Sequence, residues 1–169
     1  MPRIADAGLA LVSFLMLLGG SCSCSRPLAS DYASPGRDGW VRSDCISLAP
    51  GYADSAAVSS GRADVVLSVR LSPEYPFRDL WLEIDESSLL IDPHVDTVHL
   101  VAEGAGRNVS LRRRRGYVEM EYALRRGIVA GEEYVLSFRH LMKPDTLPGI
   151  LSFGLNVIPV KETEKHPTI

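Results

Sequence analysis

The amino-acid sequence predicts an all-β protein, an antiparallel β-sandwich of about seven short strands preceded by a signal peptide and a flexible tether. Three observations carry that expectation. Apolar residues recur with a period of two through the middle of the chain, Gly and Pro separate those runs, and no window of a dozen residues keeps a helical period. Short alternating strands punctuated by turns bury one face each, and two such sheets packed face to face satisfy all of them at once.

The first 21 residues have the form of a signal peptide: Arg3, then an apolar run over residues 9–18, then Gly19, Gly20 and Ser21. That run is about half the ~20 residues needed to cross a bilayer as a helix. Small residues directly before Cys22 fit a lipoprotein-processing site, so Cys22 is the expected lipid anchor; ordinary secretion is the alternative. A single acyl chain binds a membrane only marginally, and several chains on one cysteine hold firmly. Residues 22–38, rich in Ser, Pro, Gly and Ala, are expected to form a lipid-anchored tether. Residues 39–160 are then one sandwich domain, and residues 161–169 a flexible tail. With Cys22 acylated, Cys24 and Cys45 remain, either as a disulfide or as two free thiols.

Within the domain, residues 45–48 read as a weak first strand. In 65–71 the apolar set is Val65, Leu67, Val69 and Leu71, with Ser68 and Arg70 facing the other way. Residues 80–84 repeat the pattern after turn residues 73–77, with Leu80, Leu82 and Ile84 inward. Runs 97–101 and 151–158 follow the same logic. In 117–124 the expected inward set is Val118, Met120, Tyr122 and Leu124, with Glu119 and Glu121 outward. Residues 134–138, beyond a turn over 127–131, are expected to complete a hairpin with it.

The formal charge is −3 for the whole chain and is unchanged by removal of the first 21 residues, which carry one Arg and one Asp. It is spread evenly, which disfavours nucleic acid as a partner. No Gly-x-Ser-x-Gly, His-Glu-x-x-His or phosphate-loop motif is present, so no catalytic residues, no cofactor and no small-molecule substrate are expected.

Several collinear segments together resemble the gliding motility lipoprotein family GldH of Bacteroidota. They are Asp38-Gly39-Trp40; Tyr75-Pro76-Phe77-Arg78-Asp79-Leu80-Trp81-Leu82; Asp96-Thr97-Val98; Phe138-Arg139-His140-Leu141-Met142; Leu147-Pro148-Gly149-Ile150; and Gly154-Leu155. The resemblance covers most of the chain after Cys22. It departs from the family where a Gly-rich segment with a Trp is usual, since here Gly104-Ala105-Gly106 is followed by an arginine run without a Trp. The resemblance implies a lipoprotein of the cell envelope, facing the periplasm and held to the membrane by its N-terminal lipid. There it would be a noncatalytic accessory or scaffold part of the gliding and type IX secretion machinery, with envelope proteins as partners. A glycan- or peptide-binding lipoprotein module is the alternative.

Four local features carry possible contacts. Arg112, Arg113, Arg114 and Arg115 form the strongest charge cluster, able to meet an anionic partner; strand alternation would instead split them between two faces and pair some with Glu119 and Glu121. His94 and His99 lie near Asp92 and Asp96, but convergence on a metal is not expected. His140 is the best-placed histidine for acid–base work, yet it lacks a neighbouring nucleophile and is expected to be structural. Trp40, Trp81 and Tyr75 would make an aromatic platform if exposed, although a covering loop over Trp81 is the expectation for so large a ring.

Overall fold

A computed structural model describes residues 26–52, 61–88, 91–102, 109–131 and 133–160. The expected anchor Cys22, its neighbour Cys24, residues 104–106 and the tail 161–169 lie outside the described residues. Eleven strands and no helix occur among those described. They are β1 (Ala29–Ala33), β2 (Trp40–Val41), β3 (Ile46–Leu48), β4 (Arg62–Leu71), β5 (Asp79–Ser88), β6 (Ile91–Val101), β7 (Val109–Arg114), β8 (Tyr117–Val129), β9 (Tyr134–His140), β10 (Thr146–Leu147) and β11 (Ile150–Pro159).

The all-β antiparallel class is as expected. A five-stranded sheet runs β1-β11-β4-β8-β7, a four-stranded sheet runs β3-β9-β5-β6, and β10 pairs with β2 in a small ribbon. Period-two alternation explains the packing: Val65, Leu67, Val69, Leu71, Met120, Phe153 and Leu155 from the first sheet meet Leu80, Leu82, Ile84, Val98, Leu100, Leu136 and Phe138 from the second in one buried cluster. Val118, Tyr122 and Leu124 pack at its margin, half-buried.

The expected hairpin of 117–124 with 134–138 does not form. Strand β8 pairs with β4 and β7, whereas β9 pairs with β3 and β5 in the opposite sheet. Alternation fixes which face of a strand is inward but not which strand lies beside it, and two apolar faces can meet across the core as well as share one sheet. Residues 22–38 are also not all tether, because Ala29–Ala33 pairs with β11 and begins the domain. That strand has little apolar alternation of its own and is held by tertiary contacts. Tyr32 lies over Gly154, where an added Cβ would come within 2.5 Å of the ring, and donates its hydroxyl to Asn156 Oδ1 at 2.9 Å. Asp31 accepts from the Ala49 amide at 2.8 Å, drawing β1 toward the segment after β3 and closing that side of the sandwich.

A polar clamp joins the two sheets. Glu86, in phase with inward Leu80, Leu82 and Ile84 on β5, is buried and accepts hydrogen bonds from Arg125 Nε of β8 at 2.8 Å and from the Tyr134 hydroxyl of β9. Burial, with Glu86 beside it, holds the Tyr134 phenol protonated far above its ordinary range. The Arg125→Met change leaves a buried carboxylate without its cation. It is expected to cost about 3 kcal/mol in urea unfolding, the low end for a buried pair because Arg125 keeps 36% of its side chain exposed against 4% for Glu86. Adding Glu86→Leu should restore most of that loss; equal or greater loss in the double variant would contradict the clamp.

Candidate functional site

The connection of residues 72–78 carries the chain from Leu71 at the end of β4 to Asp79 at the start of β5, and residues 141–149 carry it from β9 through β10 to β11. Both lie at the same end of the sandwich. Gly149, at φ +82°, lets that second connection pass against Tyr75, whose Cα would lie 2.9 Å from an added Cβ. The β2–β10 ribbon sits at this end also, with Trp40 opposite Leu147 and Val41 opposite Thr146.

Trp40 is the support of this end. Its buried ring makes edge contacts with Phe138 at 5.8 Å, His140 at 5.0 Å and Phe153 at 5.0 Å, so it touches both sheets. Its Nε1 donates to the Asp44 carbonyl at 3.0 Å. The His140 ring is fully buried, and its Nε2 lies 3.0 Å from the Trp40 carbonyl oxygen. A carbonyl only accepts, so the proton is on Nε2; Nδ1 is then a bare lone pair, and it has no hydrogen-bond partner. Burial above all, with Arg42 nearby, lowers the His140 pKa below its ordinary value. The histidine therefore acts as a neutral strut, in keeping with the structural role expected of it.

On the outer face of the four-stranded sheet Trp81 stacks parallel on His99, with ring centroids 3.9 Å apart and planes at 9°. Their register positions are directly opposite, and His99 Nε2 lies 3.2 Å from Asp79 Oδ1. No loop covers the Trp81 ring fully: it remains 40% exposed, unlike the covered ring expected. It borders a hollow of about 490 Å³ with Phe77, Arg78, Asp79, Leu141, Met142 and Lys143. A second hollow of about 510 Å³, lined by Val41, Arg42, Ser43, Arg139, His140 and Asp145, shares Leu141 with it. The expected aromatic trio is thus not a platform. Trp40 is core, and Tyr75 is half-buried, donating its hydroxyl to the Asp79 carbonyl at 2.8 Å.

Arg112, Arg113, Arg114 and Arg115 are all exposed. Arg112 pairs with Glu121 at 3.3 Å. Arg113 and Arg114 border a different hollow beside Tyr117, and Arg115 lies in the turn after β7. Glu119 is taken by Arg70 at 2.9 Å. Cys45 is exposed just before β3. His94 approaches Asp96 at 3.8 Å while His99 is engaged by Asp79; among the described residues no three His, Cys, Asp or Glu side chains gather as metal ligands would.

Compared with known protein families, curated proteins and solved structures, the chain matches none.

The neutral state of His140 makes stability pH-dependent. Below its ordinary pKa of 6.5 the unfolded chain takes up a proton that the native ring resists, so native stability declines as pH falls through that region. In denaturant melts the His140→Gln variant, which keeps a donor for the Trp40 carbonyl, is expected to lose this part of the acid slope below about pH 6.5. An unchanged slope would contradict the assignment.

Proposed function

We propose that this chain is a lipid-anchored, noncatalytic envelope lipoprotein resembling the GldH gliding motility family, an accessory or scaffold component of a gliding or type IX secretion apparatus. The observation that carries the proposal is convergence. Segments bearing the resemblance at residues 38–40, 75–82 and 138–150 are far apart in sequence and meet at one end of the sandwich, around Trp40 and Trp81. They build a shaped surface, and the one histidine suited to acid–base work is spent inside it as a strut.

Geometry also suits an anchored domain. Only six residues lie between Cys22 and Ala29, seven Cα steps with a reach of at most about 25 Å. Strand β1 enters beside Val157, at the end away from the Trp81 hollow. A domain held so closely would turn that entry end to the membrane and present the Trp81 end to envelope partners facing the periplasm. The exposed Trp81–His99 stack beside a hollow is the one observation favouring the second reading, a glycan- or peptide-binding lipoprotein module.

Replacing Cys22 with Ala tests the anchor. The native chain is expected to take up a metabolic lipid label and fractionate with membranes, and Cys22→Ala to lose both. A native chain that is soluble and unlabelled would overturn the proposal.

A further inference from the structure

We propose that the hollow between the 72–78 connection and the β7–β8 hairpin binds a small amphipathic oxyanion, a carboxylate or phosphate carried on a compact apolar body. The inference goes beyond the anchored-accessory reading and does not depend on it.

The cations come first. Register places Arg113 opposite Val118, in phase with Val109 and Leu111, which pack against the core. An arginine therefore stands where alternation calls for an apolar side chain. Arg114 follows it, opposite Tyr117, and both line a hollow of about 370 Å³, within the size range of small-ligand sites. Among the described residues neither guanidinium has a hydrogen bond or an ion pair, and no Asp or Glu lines the hollow. The carboxylates on the adjoining part of β8 are engaged elsewhere, Glu119 by Arg70 and Glu121 by Arg112 and Ser110. Glu86 breaks alternation in the same way, and the chain answers it with Arg125 and Tyr134; for Arg113 the described chain supplies no counterpart.

An inward charge on an edge strand such as β7 also wards off pairing with another sheet. That role accounts for Arg113 alone. It requires neither a second guanidinium nor a walled hollow beside the pair.

The walls define the body of the ligand. Leu71, Phe77, Ala102 and Val118 give the hollow an apolar lining, and Tyr75 and Tyr117 add two rings. An inorganic anion would meet the arginines and leave this lining in contact with water, whereas an oxyanion joined to an apolar body satisfies both. The guanidinium fork matches carboxylate and phosphate alike, so the shared chemistry is the oxyanion.

Both walls are set by the chain itself. The Ser72 amide donates to the Gly149 carbonyl at 2.8 Å, the Tyr75 amide to the Ser72 carbonyl at 3.0 Å, and the Tyr75 ring meets Phe77 edge-on at 5.7 Å. Across the hollow, Arg115 and Gly116, the latter at φ +92°, make a two-residue turn that holds Arg114 beside Tyr117, and the Arg70 guanidinium lies 5.3 Å from the centre of the Tyr117 ring. Walls fixed in this way lose little freedom on binding.

Titration calorimetry on the full chain in detergent micelles, against matched empty micelles, tests the site with phenylpropionate as the probe and phenylpropanol as its uncharged counterpart. Saturable binding of the acid is expected, with none of the alcohol, and inorganic phosphate should bind more weakly than the acid. Affinity should fall about tenfold in Arg113→Gln and in Arg114→Gln. It should be unchanged in Arg126→Gln, which removes the same charge from an exposed position outside the hollow. Far-ultraviolet circular dichroism checks that these exposed-site variants fold. Phenyl phosphate should displace the probe; if dihexanoyl phosphatidate also does so the natural anion is a lipid, and if it does not the anion is a soluble acid. No binding, equal binding of the alcohol, phosphate binding as tightly as the acid, or a loss in Arg126→Gln equal to that in Arg113→Gln would overturn the proposal.

Discussion

The burial of Trp40 is the constraint on which the rest of the molecule depends. One indole packs edge-on against both Phe138 and Phe153, which belong to opposite sheets and touch each other, and the Trp40 carbonyl holds the His140 ring. A two-residue strand has almost no stability of its own, and β2 keeps its place against β10 because its first side chain is part of the core. With β2 fixed, Arg42 is placed to gather the carbonyls of the 141–143 turn, and Leu141 is brought beside Trp81. The surface at this end is therefore a consequence of core packing.

Polar groups are divided by depth. Among the buried ones, Glu86 ties β5 to β8 and β9, His140 ties β9 to β2, and Ser68 and Glu119 bond to Gly154 and Arg70 on neighbouring strands. Exposed ones pair across strands, as Glu83 does with Arg139 and Arg112 with Glu121. Such surface pairs contribute little energy each and keep the sheet faces soluble.

Much of the fold was legible in the sequence because burial in a sheet writes a period of two. The inward phases of residues 65–71 and 80–84 are those seen. Neighbour relations were not legible, since the β8 and β9 patterns suit a hairpin and a crossover equally. Strand β1 was hidden because its docking depends on Tyr32 meeting Gly154 and Asp31 meeting Ala49, contacts more than a dozen residues away in the chain. The site was legible in part. The outward phase of Trp81 follows from alternation, but its stack on His99 needed the β5–β6 register, and its exposure depended on where the neighbouring loops run. Glu86 was missed although it had a signal: an acid continuing the inward phase of Leu80, Leu82 and Ile84 requires a buried partner.

The central claim is one of polarity, with the domain held at the β1 entry and its Trp81 end directed away from the bilayer. Ten-residue strands such as β4 and β11 separate those ends by about 33 Å. The most direct test places the lipidated chain in bilayers whose acyl chains carry bromine and follows the emission of Trp81, with Trp81→Phe supplying the Trp40 background. The account predicts that brominated lipid leaves Trp81 emission unchanged. Strong quenching would put the Trp81 end in the membrane and contradict it.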